Sequence, residues 1–188
     1  IPLTVDANSA YTLKDIDLFK EMDQYQLQYI EQPLGEEDIV DHAVLQKEIE
    51  TPVCLDESVV SYEAAEAAIR LGSCKVINIK SSRCGGVYEG KRIHDLCVAH
   101  GIPVWCGGMT ELGIGRAQNV SFASLPGFTE LAHDVAAANR YFDEDITSPM
   151  VDITDRCTII VPDEDNGIRY EVDEKQIDKM EAGHWIFK

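Results

Sequence analysis

The stretch LQYIEQPLGEEDIVDHAVLQKEIETPVCLDES, residues 27–58, contains one complete strand–helix–strand pattern. A short apolar run ends at Glu31, a mixed segment with helical spacing follows, and a second apolar run ends at Asp56. About 25 residues are what one strand, one helix and two short loops require. The stretch therefore predicts a parallel β/α unit in which each strand ends on an acidic residue.

The same interval continues in both directions along the chain. Asp6 in LTVDAN lies 25 positions before Glu31, Lys80 in KVINIK lies 24 positions after Asp56, and a further apolar run ends at Trp105. A repeated strand–helix unit predicts an α/β barrel, which carries its chemistry at the carboxyl ends of its strands. Three carboxylates and one amine at equivalent strand ends predict a divalent-cation site with an acid–base lysine beside it.

The fold class predicted is α/β, a partial (β/α) barrel of about six strand–helix units with a C-terminal tail. The predicted strands are 3–5, 27–30, 53–55, 76–79, 104–106 and 129–132, and the predicted helices are 12–22, 41–49, 61–71, 86–100 and 115–124. We expect residues 1–148 to form the barrel domain and residues 149–188, which include a short helix near 173–180, to pack outside it. An open doubly wound sheet is the alternative, but no glycine-rich phosphate loop follows the first strand.

Size and charge narrow the possible functions. A complete eight-stranded barrel needs about 250 residues, and this chain has 188 and begins with Ile-Pro rather than methionine. We therefore expect it to be the C-terminal part of a longer polypeptide, or a processed product. Its net charge of −18 argues against nucleic-acid and membrane-surface partners.

The six cysteines favour a cytoplasmic protein. None forms a Cys-x-x-Cys pair, and most lie inside apolar runs, as reduced buried thiols do. No apolar run reaches the roughly 18 residues of a membrane span. We expect a cytoplasmic location, a small-molecule carboxylate substrate and a homo-oligomer.

The words DAN, IEQP, LDES and NIK, at these intervals, resemble the enolase superfamily and within it the muconate-lactonizing subgroup. The runs VWCGGMTELGIGRAQNV and ASLPGF resemble the o-succinylbenzoate synthase / N-acylamino acid racemase family, and the likeness extends to NGIRYEVDE in the tail. The resemblance implies that Asp6, Glu31 and Asp56 bind Mg²⁺ or Mn²⁺ and that Lys80 is catalytic. It also implies a capping domain and an upstream second strand bearing Lys-x-Lys, neither of which this chain contains.

The resemblance implies a lyase that dehydrates a cyclohexadiene carboxylate in menaquinone biosynthesis, with N-acylamino acid racemase (isomerase) activity as a second expectation. A proton α to a carboxylate is weakly acidic, and a cation offsets the charge that its removal creates. Lys80 acts as a base only if burial near a cation lowers its pKa. The alternatives are a dipeptide epimerase, a cycloisomerase, or a non-catalytic fragment that lacks the second lysine.

Six further positions are candidates for the surroundings of the site, and each has an ordinary structural explanation beside the functional one. Asn8 is a candidate to hydrogen-bond a metal-bound water or a ligand, and a turn-forming asparagine is the ordinary explanation. Glu57 is a candidate to support the metal ligands, and a solvated surface acid is the ordinary explanation. After the fifth strand, Gly107, Gly108 and Met109 are candidates to line the pocket, although glycines of a tight turn and a methionine of the core are the ordinary explanation. Glu111 is a candidate to orient Lys80 or its surroundings.

Overall fold

The computed structural model describes residues 1–128, 130–161 and 170–183. The strands are β1 (Thr4–Asp6), β2 (Tyr29–Glu31), β3 (Val53–Leu55), β4 (Val76–Ile79), β5 (Val104–Cys106), β6 (Thr147–Ser148) and β7 (Glu171–Val172). The α-helices are α1 (Ile16–Met22), α2 (Ile39–Glu48), α3 (Tyr62–Leu71), α4 (Val87–Ala99), α5 (Gly113–Ala123) and α6 (Glu174–Met180). Within these residues no helix is long and apolar enough to span a membrane.

The first five strands form one parallel sheet in the order β1-β2-β3-β4-β5. Each strand pairs with the next one in sequence, so the sheet grows in one direction, as in half of a barrel. A doubly wound sheet would instead reverse its order at a switch point. The prediction of a partial α/β barrel is confirmed.

Local sequence signals explain where the helices begin and end. The short 3₁₀ turn ahead of α1 begins with a capping box between Thr12 and Asp15. The hydroxyl of Ser61 accepts the backbone N–H of Ala64 at the start of α3, and Gly72 ends that helix with φ of 72°. Three predicted strands, those at 53–55, 76–79 and 104–106, have the predicted limits.

On one face of the parallel sheet, the side chains form two layers, one above the other along the strands. The lower layer is apolar, and Tyr29, Cys54, Val76 and Trp105 pack together there in one buried cluster. Since side chains two residues apart along a strand share a face, the next residue of each strand on this face lies above that cluster. The apolar layer is therefore the floor beneath the polar residues at the strand ends.

The chain divides into two compact units. The first, residues 1–107 and 126–133, contains the parallel sheet and helices α1 to α4. The second, residues 108–125 and 134–188, contains α5, α6 and an antiparallel pair of β6 with β7. Its core includes Ala117, Val120 and Val151. The predicted division at residues 148 and 149 stays a prediction.

The tail and the sixth strand differ from the sequence-based expectation in detail. Helix α6 occupies Glu174–Met180, close to the predicted helix. The two-residue strands β6 and β7 were not predicted, because runs this short have no measurable periodicity. Thr129, where a sixth strand was expected to start, lies outside the described residues, and residues 130–132 form no strand.

Candidate active site

Four charged residues stand at the carboxyl ends of neighbouring strands. Asp6 and Glu31 are the last residues of β1 and β2 and pair with each other in register. Asp56 and Lys80 directly follow β3 and β4. The parallel register therefore brings the three predicted metal ligands and the predicted catalytic lysine to the same edge of the sheet.

Asp56 is held by two cationic side chains. It is 2% exposed, its Oδ2 accepts a hydrogen bond from Lys80 Nζ at 2.7 Å, and its Oδ1 contacts the Arg83 guanidinium. Arg83 reaches back because the chain turns sharply after β4, where its backbone N–H bonds to the carbonyl of Lys80 at 2.9 Å. One buried carboxylate thus neutralises part of the charge of two partly buried cations.

Glu31 is also buried, and its carboxyl accepts a hydrogen bond from the neutral amide of Asn78. Burial raises its pKa to about 7; the nearby negative charges of Asp6 and Asp56 also raise it, whereas a hydrogen bond from Asn78 Nδ2 to its Oε1, at 2.9 Å, and the charge of Lys80 lower it. The carboxyl of Glu31 therefore keeps its proton to a higher pH than an ordinary glutamate does. A bound cation would offset the same unfavourable charge.

The donor chemistry of the site fits a hard divalent cation, because carboxylate oxygens are the ligands that Mg²⁺ and Mn²⁺ prefer. In the described residues, however, no three acidic, histidine or cysteine side chains are grouped closely enough to form a ready metal site. Both oxygens of Asp56 instead contact Lys80 and Arg83. A cation bound to Asp56 would therefore compete electrostatically with Lys80 and Arg83 for the same carboxylate.

The structure also places Asn8 and Glu57 near the strand ends. Asn8 has φ of 44°, as a turn-forming asparagine can, and its backbone N–H donates to Asp6 Oδ1 at 2.9 Å. Glu57 is half-buried, and its pKa is raised by burial and then by the charge of Asp56. Both residues therefore influence predicted ligands, one through a hydrogen bond and one through charge.

Gly107 follows β5 and lies against the side chains of Asn78, in β4, and of Lys80, directly after β4. A Cβ atom at this position would lie 2.3 Å from Asn78 Oδ1 and 2.7 Å from Lys80 Cε, which is closer than van der Waals contact allows. Only glycine leaves room for both side chains. The predicted pocket position thus has a specific steric reason to be glycine.

Gly108, Met109 and Glu111 belong to the second unit. Within that unit, Glu111 Oε1 accepts the backbone N–H of Met109 at 2.7 Å and the Asn119 amide at 3.0 Å. A Cβ on Gly108 would lie 2.7 Å from the carbonyl oxygen of Asp134. The sequence-based idea that Glu111 orients Lys80 stays a prediction.

Sequence reasoning did not predict the contacts of two further residues, that of Asn78 with Glu31 and that of Arg83 with Asp56. Asn78 is the polar residue in the otherwise apolar strand VINI, and a buried polar residue in such a run usually has a partner. Arg83 follows Lys80 by three positions, a spacing that a tight turn can bring back to the strand end. Both signals are present in the sequence, but neither identifies the partner.

Comparison with known proteins agrees with this geometry. The family model described as enolase C-terminal domain-like matches residues 1–176. The o-succinylbenzoate synthase of Geobacillus stearothermophilus is 52% identical over 95% of this chain and 47% of its own length. That of Bacillus subtilis is 58% identical over 81% of this chain and 41% of its own, and the N-succinylamino acid racemase of Amycolatopsis sp is 56% identical over 79% and 40%. The chain spans about half the length of the curated relatives it matches.

Solved structures give the same result. A member of the enolase superfamily from Listeria innocua has a TM-score of 0.88 and 44% identity, over 95% of this chain and 47% of that one. The dipeptide epimerase of Enterococcus faecalis, complexed with Mg and the dipeptide L-Leu-L-Tyr, has a TM-score of 0.73 and 28% identity over 81% and 43%. The fold of this chain is therefore shared with solved structures at two levels of sequence similarity.

Proposed function

Because this chain belongs to the enolase C-terminal domain-like family, we propose that the protein containing it is a metal-dependent enolate-forming enzyme, an o-succinylbenzoate synthase. The observation that carries the proposal is the placement of Lys80 Nζ 2.7 Å from Asp56, beside Glu31, at neighbouring strand ends. The identity of 50% or more to synthases along most of the chain supports the choice of reaction.

Asp6, Glu31 and Asp56 would hold Mg²⁺ or Mn²⁺. When bound, the cation offsets the negative charge that develops on a carboxylate substrate as its α proton leaves. With the cation bound, Glu31 would be held as a carboxylate. Lys80 would be released from its ion pair with Asp56 and would stay at the strand end beside the substrate position.

Lys80 would do the chemistry on one face of the substrate. In the dehydration, its positive charge stabilises the enolate while a second lysine, on a strand outside this chain, moves the proton. In a racemisation, Lys80 Nζ takes or returns the α proton itself. The apolar floor of Tyr29, Cys54 and Trp105 excludes water from beneath the site.

N-succinylamino acid racemisation is the second candidate, favoured by the 56% identity to the Amycolatopsis racemase. Dipeptide epimerisation is less favoured, because the Enterococcus faecalis epimerase shares only 28% identity with this chain. A place in menaquinone biosynthesis, a cytoplasmic location, homo-oligomerisation and a tail outside the barrel belong to the same proposal. If the chain is instead a non-catalytic fragment, we expect no turnover of either substrate.

The test is a kinetic assay of the protein that contains this chain. With Mg²⁺, it should dehydrate the cyclohexadiene carboxylate, and chelation of the metal should stop turnover. Lys80→Ala should lower kcat by at least about 10³-fold in the dehydration and in the racemisation. Lys91→Ala is the matched control, because that lysine forms an exposed ion pair with Asp95. Turnover of neither substrate, or undiminished turnover by Lys80→Ala, would contradict the proposal.

A further inference from the structure

Asn78 has a buried side-chain amide whose nitrogen forms a hydrogen bond. It is 1% exposed, and its Nδ2 donates to Glu31 Oε1, 47 residues earlier in the chain. Its Oδ1 is also buried, and among the described residues it has no hydrogen-bond partner. Buried acceptors are nearly always paired in folded proteins, so an unpaired one in a candidate site indicates a partner that arrives during function.

Lys80 is the nearest cationic side chain to this unpaired oxygen along the strand. Asn78 and Lys80 are two residues apart in an extended segment, so their side chains leave the same face. Both pack against Gly107, where a single Cβ position would lie 2.3 Å from Asn78 Oδ1 and 2.7 Å from Lys80 Cε. The aliphatic chain of Lys80 therefore passes beside the amide of Asn78.

The present partner of Lys80 is also a predicted metal ligand. Lys80 Nζ donates to Asp56 Oδ2 at 2.7 Å. A divalent cation bound to Asp56 would repel the ammonium whichever oxygen it occupied, and on Oδ2 it would displace it. The ammonium must then find another acceptor or remain unpaired in a partly buried position.

We propose that Asn78 is a positioning residue that joins the metal site to the catalytic lysine. Its amide N–H holds the Glu31 carboxylate in place, and its Oδ1 accepts Lys80 Nζ when a divalent cation occupies Asp56. This inference rests on the metal site of the proposed function. Lys80 thus has two positions, one on Asp56 without metal and one on Asn78 with metal, and Gly107 leaves the space for the change.

The experiment follows Lys80 by NMR in the 188-residue chain labelled with ¹³C at lysine Cε, with Lys80→Arg used to assign its signal. Addition of Mg²⁺ should move the Lys80 signal to a new and distinct position. In Asn78→Leu, the signal without metal should be unchanged, because Asp56 still holds Nζ. At saturating Mg²⁺ it should instead move to the position of a solvent-exposed lysine, and Mg²⁺ affinity should fall about 10-fold.

Controls separate the inference from a general loss of stability. Ser73→Ala removes another buried side-chain hydrogen bond, to the carbonyl of Ile39, and should leave the Mg²⁺ response of Lys80 intact. If Asn78→Leu does not fold, Asn78→Ala makes the same test. An unchanged metal-bound Lys80 signal in the Asn78 variant would overturn this inference alone. Failure of the unmodified chain to bind Mg²⁺ would overturn both the inference and the proposed metal site. If Mg²⁺ moves the Lys80 signal as described but the protein turns over neither substrate, the inference stands and the proposed reaction is contradicted.

Discussion

Glu31 and Asp56 have the same charge and similar burial, but their partners differ. Asp56 contacts two cations, Lys80 and Arg83, whereas Glu31 accepts a hydrogen bond from the neutral amide of Asn78. A buried carboxylate without a cationic partner favours its protonated form. Glu31 is therefore the residue at which pH, metal binding and stability are most closely connected.

The stability of the metal-free chain should depend on pH through Glu31. Its folded pKa of about 7 is above the ordinary value of 4.5, so between these values the unfolded chain releases a proton that the folded chain keeps. Stability from this group is present below pH 4.5 and falls as pH rises toward 7. Glu31→Gln should therefore stabilise the chain by about 3 kcal/mol at pH 8, at roughly 1.4 kcal/mol per pKa unit, and by much less near pH 5.

Urea unfolding at the two pH values, without divalent cations, measures this difference. Glutamine keeps an oxygen that can accept the Asn78 amide, so the substitution mainly removes the charge. Glu63→Gln, at an exposed position in α3, is the matched control and should change the unfolding free energy little at either pH. Equal effects of Glu31→Gln at pH 5 and pH 8 would contradict the assignment.

At the scale of the elements, very short strands support the site. The five strands of the parallel sheet have three or four residues each, and β2 to β5 are buried throughout. Such strands pack on both faces and tolerate little added volume. Positions at the strand ends, where side chains of adjacent strands meet, should therefore be the most sensitive to substitution.

Gly107→Ala should destabilise the chain and displace Lys80. The new methyl group would overlap Asn78 Oδ1 and Lys80 Cε, and overpacking of this kind costs about 1–3 kcal/mol. Gly35→Ala is the control, because a Cβ there would meet only Asp38 Cβ, at 4.0 Å. Thermal unfolding of both variants makes the comparison, and equal melting temperatures would show that the β4–β5 contact is looser than described.

The start of helix α3 should depend on its cap. Ser61 Oγ accepts the backbone N–H of Ala64 at 3.2 Å. Ser61→Ala should lower the unfolding free energy by about 1 kcal/mol, and Ser61→Asp, which restores an acceptor, should recover most of that loss. Chemical denaturation measures both, and a loss shared by the two variants would contradict the role of the cap.

At the scale of the whole molecule, the cysteines are sharply divided by exposure. Five of the six are buried and Cys157 is exposed, and all are free thiols. Burial raises the pKa of Cys74 and Cys97 to about 12, so their thiolates are scarce at neutral pH. The interior of the chain should therefore be unreactive toward thiol reagents.

In the native chain, one thiol should react rapidly with a disulfide reagent, and all six should react after unfolding in urea. Cys157→Ser should abolish the rapid phase, because it removes the exposed thiol. Cys84→Ser, at a buried position, should leave that phase intact. A rapid phase of more than one thiol equivalent would show that the buried cysteines are accessible.

The sequence was sufficient for the order of strands and helices in the parallel sheet and for the positions of the charged residues at its strand ends. A 25-residue interval, apolar runs and capping residues are local signals, and parallel pairing of consecutive strands then places Asp6, Glu31, Asp56 and Lys80 at one edge. The sequence did not predict the antiparallel pair in the second unit, because each of its strands has two residues and the two strands lie more than 20 residues apart.

The sequence by itself therefore determined which charged residues end which strands, because this depends on short-range periodicity. Only the tertiary structure decided how those residues are paired: Asp56 with Lys80 and Arg83, and Glu31 with Asn78. These pairings depend on side-chain direction across neighbouring strands, on the turn after β4 and on the space at Gly107. Burial then set the proton affinity of Glu31, since the energy of a charge depends on everything that surrounds it in the folded chain.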